Sequence, residues 1–267
     1  MEILITTDFS LTSQRAIDFA LQMFDRDDNS FHLMHAVAMP YSSLMISDPL
    51  TEDLVRHEQK KLWSIEKELL DRYPDLKIRS SVERGLFPRC VEKYVSEQLI
   101  DFVVIGSNGT SGVFEKIIGS NTLELINSLN IPTLVVPVHV QFESTIKAVI
   151  SVKKIDDSDR KTLAKYLNAL NTDVKALDFY NIYSKEDKQE IDTSFIPKQF
   201  DNRVQKIYHE NDRKVSIEDQ ISTFVTNNNY NLVGVLPENL NFFKRLIHRS
   251  VSNALIDECS FPVLIIR

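Results

Sequence analysis

Four of the six glycines in this 267-residue chain, Gly106, Gly109, Gly112 and Gly119, fall in one stretch, GSNGTSGVFEKIIGS, from Gly106 to Ser120. Glycine is required where the backbone takes positive φ or where a ligand must come close to the main chain. Ahead of the stretch, Asp101-Phe102-Val103-Val104-Ile105 is a short apolar run of the kind buried on both faces of a sheet. Behind it, Leu123, Ile126 and Leu129 recur at helical spacing, and Ser120 stands where an N-cap is expected. Buried strand, glycine loop and helix start, in that order, present free backbone N–H groups and the positive end of a helix dipole to an anion. The chemistry implied is phosphate binding. No Gly-Lys-Ser/Thr follows, so this is not a Walker A loop, and the spacing of Gly106, Gly109 and Gly112 is not the dinucleotide fingerprint.

Strand-to-helix loops often carry a glycine for packing alone, and a single G-x-x-G weighs little. The concentration of glycine ahead of a capped helix weighs more. Gly106-x2-Gly109-x9-Gly119-Ser120, continued by Asn121-Thr122, resembles the ATP-binding motif of the universal stress protein family. Asn130-Ile131-Pro132-Thr133-Leu134-Val135-Val136-Pro137 is similar to the family's last strand, and Ile3-Leu4-Ile5-Thr6-Thr7-Asp8-Phe9-Ser10 to its first strand and Asp-x-Ser turn. The resemblance implies ATP as ligand, with or without Mg, at the carboxyl ends of the strands. Gly106, Gly109, Gly119, Ser120 and Asn121 would hold the phosphates, with Thr122 as an extra contact. Asp8, beside Thr7, would contact the nucleoside; its other reading is an Asx-type turn before the first helix. Ala36 or Val37 falls where the family offers backbone groups to adenine, although Ala36 departs from the usual valine.

Composition bounds the alternatives. Hydrophobic residues make up 43%, enough for cores without disulfide support, and the net charge of −7, with no basic block, argues against nucleic acid. Cys90 and Cys259 lie far apart in no metal spacing and are expected as free thiols. The sequence enters a strand directly after Met1, and no apolar run is long enough to span a membrane; a cytoplasmic protein without a signal peptide is expected.

Strands are expected at 2–7, 30–38, 76–82, 101–105 and 132–138, alternating with helices at 10–24, 51–72, 88–98 and 120–129. His32 and His35 share the second strand but point to opposite faces, so neither is expected in a metal site. Trp63 is expected to pack in the 51–72 helix. After a polar connector at 139–145 the pattern resumes: strands at 147–152, 173–180, 203–208 and 231–236, helices at 157–170 and 215–227, and a loop over 181–200. Ser250–Ile266 matches Ser120–Val136 at a constant offset of 130, which aligns Pro262 with Pro132. The chain thus repeats one α/β unit. Two tandem Rossmann-like (adenine nucleotide alpha hydrolase-like) domains are expected, 1–140 and 146–267, each a five-stranded, mostly parallel sheet with helices on both faces.

The second copy departs where the chemistry would sit. Gly234 reads as the retained first glycine, Pro237 then replaces Gly109, Arg249 replaces Gly119, and the loop is two residues longer. Lys153 falls nearest to the place of Asp8. One nucleotide site, in the first copy, is therefore expected, with the second copy serving packing and an unknown protein partner. Three function classes stay open: a nucleotide-dependent signalling protein, an enzyme limited to slow ATP hydrolysis, and an interaction module without nucleotide. Neither a His-Ile-Gly-His nor a Ser-Gly-Gly-x-Asp-Ser element occurs, and no catalytic or metal-ligating set is evident. The two last strands are expected to pair within the chain as an intramolecular pseudo-dimer, with or without a further homodimer.

Overall fold

The computed structural model describes residues 1–24, 27–38, 49–107, 120–152, 155–169, 173–183, 190–236 and 261–267. In the first half, strands β1 (Glu2–Thr6), β2 (Ser30–Val37), β3 (Ile78–Arg84), β4 (Phe102–Gly106) and β5 (Thr133–Val136) alternate with helices α1 (Leu11–Met23), α2 (Pro49–Arg72), α3 (Phe87–Glu97) and α4 (Ser120–Ser128). The second half adds β6 (Thr145–Ser151), α5 (Asp157–Ala169), β7 (Asp173–Tyr183), β8 (Val204–Glu210), α6 (Ile217–Asn227), β9 (Leu232–Val235) and β10 (Val263–Ile265).

Local chemistry accounts for these elements. The Ser10 hydroxyl caps α1 by accepting from the Ser13 N–H, and Ser216 caps α6 through Asp219 in the same way. Pro88 opens α3, where a missing N–H costs nothing. The run Phe102-Val103-Val104-Ile105 is apolar throughout because β4 is covered on both faces: Phe102 and Val104 enter one core, Val103 and Ile105 the other.

The ten strands among the described residues form one sheet in the order β3-β2-β1-β4-β5-β10-β9-β6-β7-β8. The order 3-2-1-4-5 of the first half recurs in the second as β8-β7-β6-β9-β10, so the molecule is two tandem Rossmann-like units sharing one sheet. Every neighbouring pair is parallel except β5 with β10. There Leu134 faces Leu264, its own repeat equivalent, while Val135 faces Val263 and Thr133 faces Ile265. This register is that of an isologous two-fold contact made inside one chain. It also covers two apolar edges that would otherwise template aggregation. Tyr166 of α5 adds a second tie, donating its hydroxyl to the Asp101 carbonyl at 2.8 Å and packing edge-on against Phe102, while Lys165 pairs with the Asp101 carboxylate.

Several expectations are corrected. β3 runs over 78–84 rather than 76–82, because Leu76 is taken up in the turn before it, where its carbonyl accepts from the Ile78 N–H. The stretch 181–200 begins as the end of β7, and a 3-10 helix starts at Lys198. Trp63 is 57% exposed, while its neighbour Leu62 is fully buried on the inner face of α2.

The sheet register also revises the alignment of the halves. Val104 lies beside Leu134, whereas Gly234 lies beside Leu264. Gly234 is therefore the counterpart of Val104, and Leu236 that of Gly106. Gly234 is a packing glycine within β9: a Cβ there would stand 2.9 Å from Ile150 Cγ1 and 3.2 Å from Ile266 Cδ1. The offset of 130 then runs unbroken from β9 to β10, so the loop has equal length in both halves. It places Asn239 opposite Gly109 and leaves Arg249 opposite Gly119. Pro237, Asn239 and Arg249 lie outside the described residues.

Candidate functional site

In the first half the chain leaves β1 toward β2 and β3, then crosses over to β4 and β5. The connections after β1 and β4 therefore diverge, and their carboxyl ends frame the crevice where α/β sheets take ligands. β1 runs into Thr7-Asp8-Phe9-Ser10. The buried Thr7 hydroxyl lies 2.9 Å from Ser13 Oγ and accepts from the Phe9 N–H at 3.0 Å, which holds Phe9 in a left-handed conformation with φ 65°. That conformation is uncommon for a side chain of this size and persists only where its surroundings fix it. Asp8 Oδ1 accepts from the Ser10 N–H at 3.1 Å and the Ser10 hydroxyl at 2.5 Å, so the Asx-type turn is present. Thr7 and Asp8 thus stand at the mouth of the crevice.

β4 reaches the same rim with Gly106. A Cβ at this position would stand 2.8 Å from Thr12 Cγ2 and 3.2 Å from the Thr12 backbone, so glycine here lets the first turn of α1 close on the strand. Ser107 continues the path, donating its N–H to the Val136 carbonyl at 2.9 Å. Gly109 and Gly119 lie outside the described residues. Ser120 is the first described residue of α4, and the residue before it, which would settle the expected N-cap, lies outside the described residues. Ser120 and Asn121 are exposed there, whereas the Thr122 side chain is buried against the protein. Neither α1 nor α4 carries an acidic residue in its first turn, and the acid nearest the start of α1 is Asp8, on its N-cap Ser10.

β2 supplies the third wall. It continues three residues past its last pair with β1, Met34 with Thr6, which brings Ala36 and Val37 beyond the end of β1. The Val37 carbonyl accepts from the Gly85 N–H at 2.9 Å. His35, to which sequence reasoning assigned no role in the site, also belongs to this rim. Its Nδ1 lies 2.8 Å from the Thr7 carbonyl, which can only accept, so Nδ1 carries the proton. Its ring packs on Phe9 at 4.5 Å, and Lys61 of α2 lies over the other ring at 5.4 Å. The sequence signal for His35 was its place one residue before Ala36. His32 points to the opposite face and takes no part, and among the described residues no group of three or more metal-ligating side chains occurs.

The model of the universal stress protein family matches residues 1–137, just over half the chain. A universal stress protein from Archaeoglobus fulgidus DSM 4304 has a similar structure over 100% of this chain and 96% of its own, at 14% identity and a TM-score of 0.57. The protein PA1789 from Pseudomonas aeruginosa PAO1, described as functionally unknown, is similar over 99% and 92%, at 10% identity and a TM-score of 0.54. The hypothetical protein MJ0577 is 26% identical over 51% of this chain and 94% of its own, with a TM-score of 0.46. Comparison with curated proteins found no match. Among the described residues no helix is long and apolar enough to cross a membrane. The family match over the first half, and the likeness in fold over the whole length, lead to one conclusion: the chain belongs to the universal stress protein family, in its tandem form.

Proposed function

We propose that this protein binds one ATP, with or without Mg, in the crevice of its first half, and relays nucleotide state to a protein partner in a cytoplasmic stress response. The supporting observation is the crevice between β1 and β4, where β4 ends in Gly106 and neither α1 nor α4 carries an acid in its first turn; in sequence, three further glycines follow between β4 and α4. In this reading Gly106, Gly109, Gly119, Ser120 and Asn121 line the phosphate path, Thr122 supports the helix start from its buried side, and Thr7 and Asp8 face the ribose. Ala36 and Val37 offer backbone groups to the base. The nucleotide-binding domain spans 1–140 and the second domain 146–267. In the second, Leu236 stands for Gly106 and is buried in the core, and Arg249 replaces the Gly119 of the motif in sequence. That half serves packing and partner contact.

Calorimetric titration with ATP is the test. The expected stoichiometry is one per chain. Two equivalent sites per chain, or no heat at any usable concentration, would overturn the proposal.

A further inference from the structure

At the opposite rim of the sheet a second cluster of polar groups surrounds His32, which is fully buried in β2. Its ring is met from every element packed on it. Glu2 of β1 brings Oε2 to 2.6 Å from Nε2. Arg79 of β3 brings Nε to 3.3 Å from Nδ1 and Nη2 to 3.2 Å from Nε2. Tyr94 of α3 places its hydroxyl 3.2 Å from Nδ1. Around these, the Glu2 N–H donates to Asp101 Oδ2 at 2.9 Å, Gln98 Oε1 accepts from Arg79 Nη2 at 2.9 Å, and Lys77, whose ammonium donates to the Asp27 carbonyl at 2.6 Å, lines the adjoining groove with Ser30.

We propose that His32 is an acid-operated switch: neutral, it holds the start of edge strand β3 on the sheet, and protonated, it releases it. A carboxylate only accepts, so the contact with Glu2 places the ring proton on Nε2 and leaves Nδ1 as an acceptor for the Arg79 Nε–H and the Tyr94 hydroxyl. Adding a proton to Nδ1 removes that acceptor. The Tyr94 hydroxyl can rotate and accept instead. Arg79 has no acceptor to offer, and a buried imidazolium then stands against the guanidinium of an exposed arginine. Arg79 is the group that can leave. Among the described residues its strand pairs only with β2, where it faces His32 directly, and the groove bordered by Glu2, Ser30 and Lys77 opens beside it.

Burial, aided by the Arg79 charge, holds the His32 pKa below its ordinary 6.5, against the pull of Glu2. Burial acts to raise the Glu2 pKa, but hydrogen bonds from His32 and Ser30 hold it below its ordinary value. A histidine depressed in the fold contributes stability above its unfolded pKa and loses that contribution as pH falls through the folded one. The switch therefore acts on the acid side of neutrality.

The second half contains its own control. By sheet register Asp178 takes the place of His32 and Gln205 that of Arg79, and the Tyr230 hydroxyl donates to Asp178 at 2.5 Å. No histidine and arginine meet there, so β8 should not respond as β3 does.

Amide hydrogen exchange of the full chain, corrected for intrinsic pH dependence, is to be compared between about pH 7.5 and about pH 5, the range over which histidine titrates. Protection of 78–84 should fall as His32 titrates, while that of 204–210 holds. Arg79→Gln should raise the His32 pKa read by imidazole NMR and abolish the pH response of β3. His32→Gln should also make β3 insensitive to pH. If His32→Gln does not fold, Arg79→Gln decides alone, since its side chain lies on an edge strand. Equal loss in β3 and β8, an unchanged β3 as His32 titrates, or a full response retained in Arg79→Gln would each overturn the proposal.

Discussion

Gly106 shows how one residue type can serve two purposes in the same loop. Its place ahead of the other loop glycines suggests space for a phosphate, yet the structure supplies a packing reason of its own. Replacing it with alanine puts a Cβ 2.8 Å from a methyl group of Thr12 and 3.2 Å from its backbone carbonyl, and backbone cannot swing aside as a side-chain tip can. Overpacking of this kind costs about 1–3 kcal/mol. Gly106→Ala should therefore lower the urea midpoint of the chain without changing the slope of the transition. An unchanged midpoint would mean that α1 can shift outward freely. Asp8 likewise has a structural task, in its turn with Ser10, whether or not it also meets a nucleoside.

Among the elements, β5 and β10 carry the join between the halves. Each has a parallel neighbour on one side and its antiparallel equivalent on the other, so neither has an open edge. Proline at Val135 or Ile265 deletes a ladder N–H from a strand paired on both sides, where it is not tolerated. Either substitution is expected to lower the melting temperature of the whole chain in a single transition, as followed by circular dichroism. A loss confined to one half, seen as two separate transitions, would show that the join contributes little. Both ends of the ten-stranded sheet are blunted by charge instead: β3 carries Arg79 and Glu83, and β8 carries Lys206 and Glu210.

For the molecule as a whole, the pseudo-two-fold axis through Leu134 and Leu264 makes the chain its own dimer. A fragment ending at residue 138 keeps every strand of the first half but uncovers β5. It is expected to dimerise in light scattering, by pairing β5 with a second copy in the register that β10 now uses. The intact chain has no such demand from this edge. A fragment that stays monomeric at high concentration would show that β5 needs β10 for reasons other than edge covering. The tie between Asp101 and the Lys165-Tyr166 pair would also be lost in the fragment, which exposes Phe102 beside it.

Much of this was already legible along the chain. The two-faced apolar run of β4, the serine cap of α1, the glycine loop and the 130-residue repeat depend on neighbours in sequence, and local patterns record such dependence. The α/β class, the tandem arrangement and the resemblance to a family followed from them. What the chain alone did not disclose depends on partners far away in sequence. Gly234 looked like the retained loop glycine because identity draws an alignment toward it, and only its register against Leu264 showed it to be the counterpart of Val104. Trp63 looked like core, but burial depends on which face of α2 meets the sheet, and Leu62 occupies that face. His32 and His35 were separable by strand alternation, yet their partners, Glu2 and Arg79 for one and Thr7 with Phe9 for the other, come from strands and turns assembled only by the sheet. A strand's side-chain pattern specifies which residues share a face; the register that decides what those residues touch is set by packing between segments, and that exists only in the folded molecule.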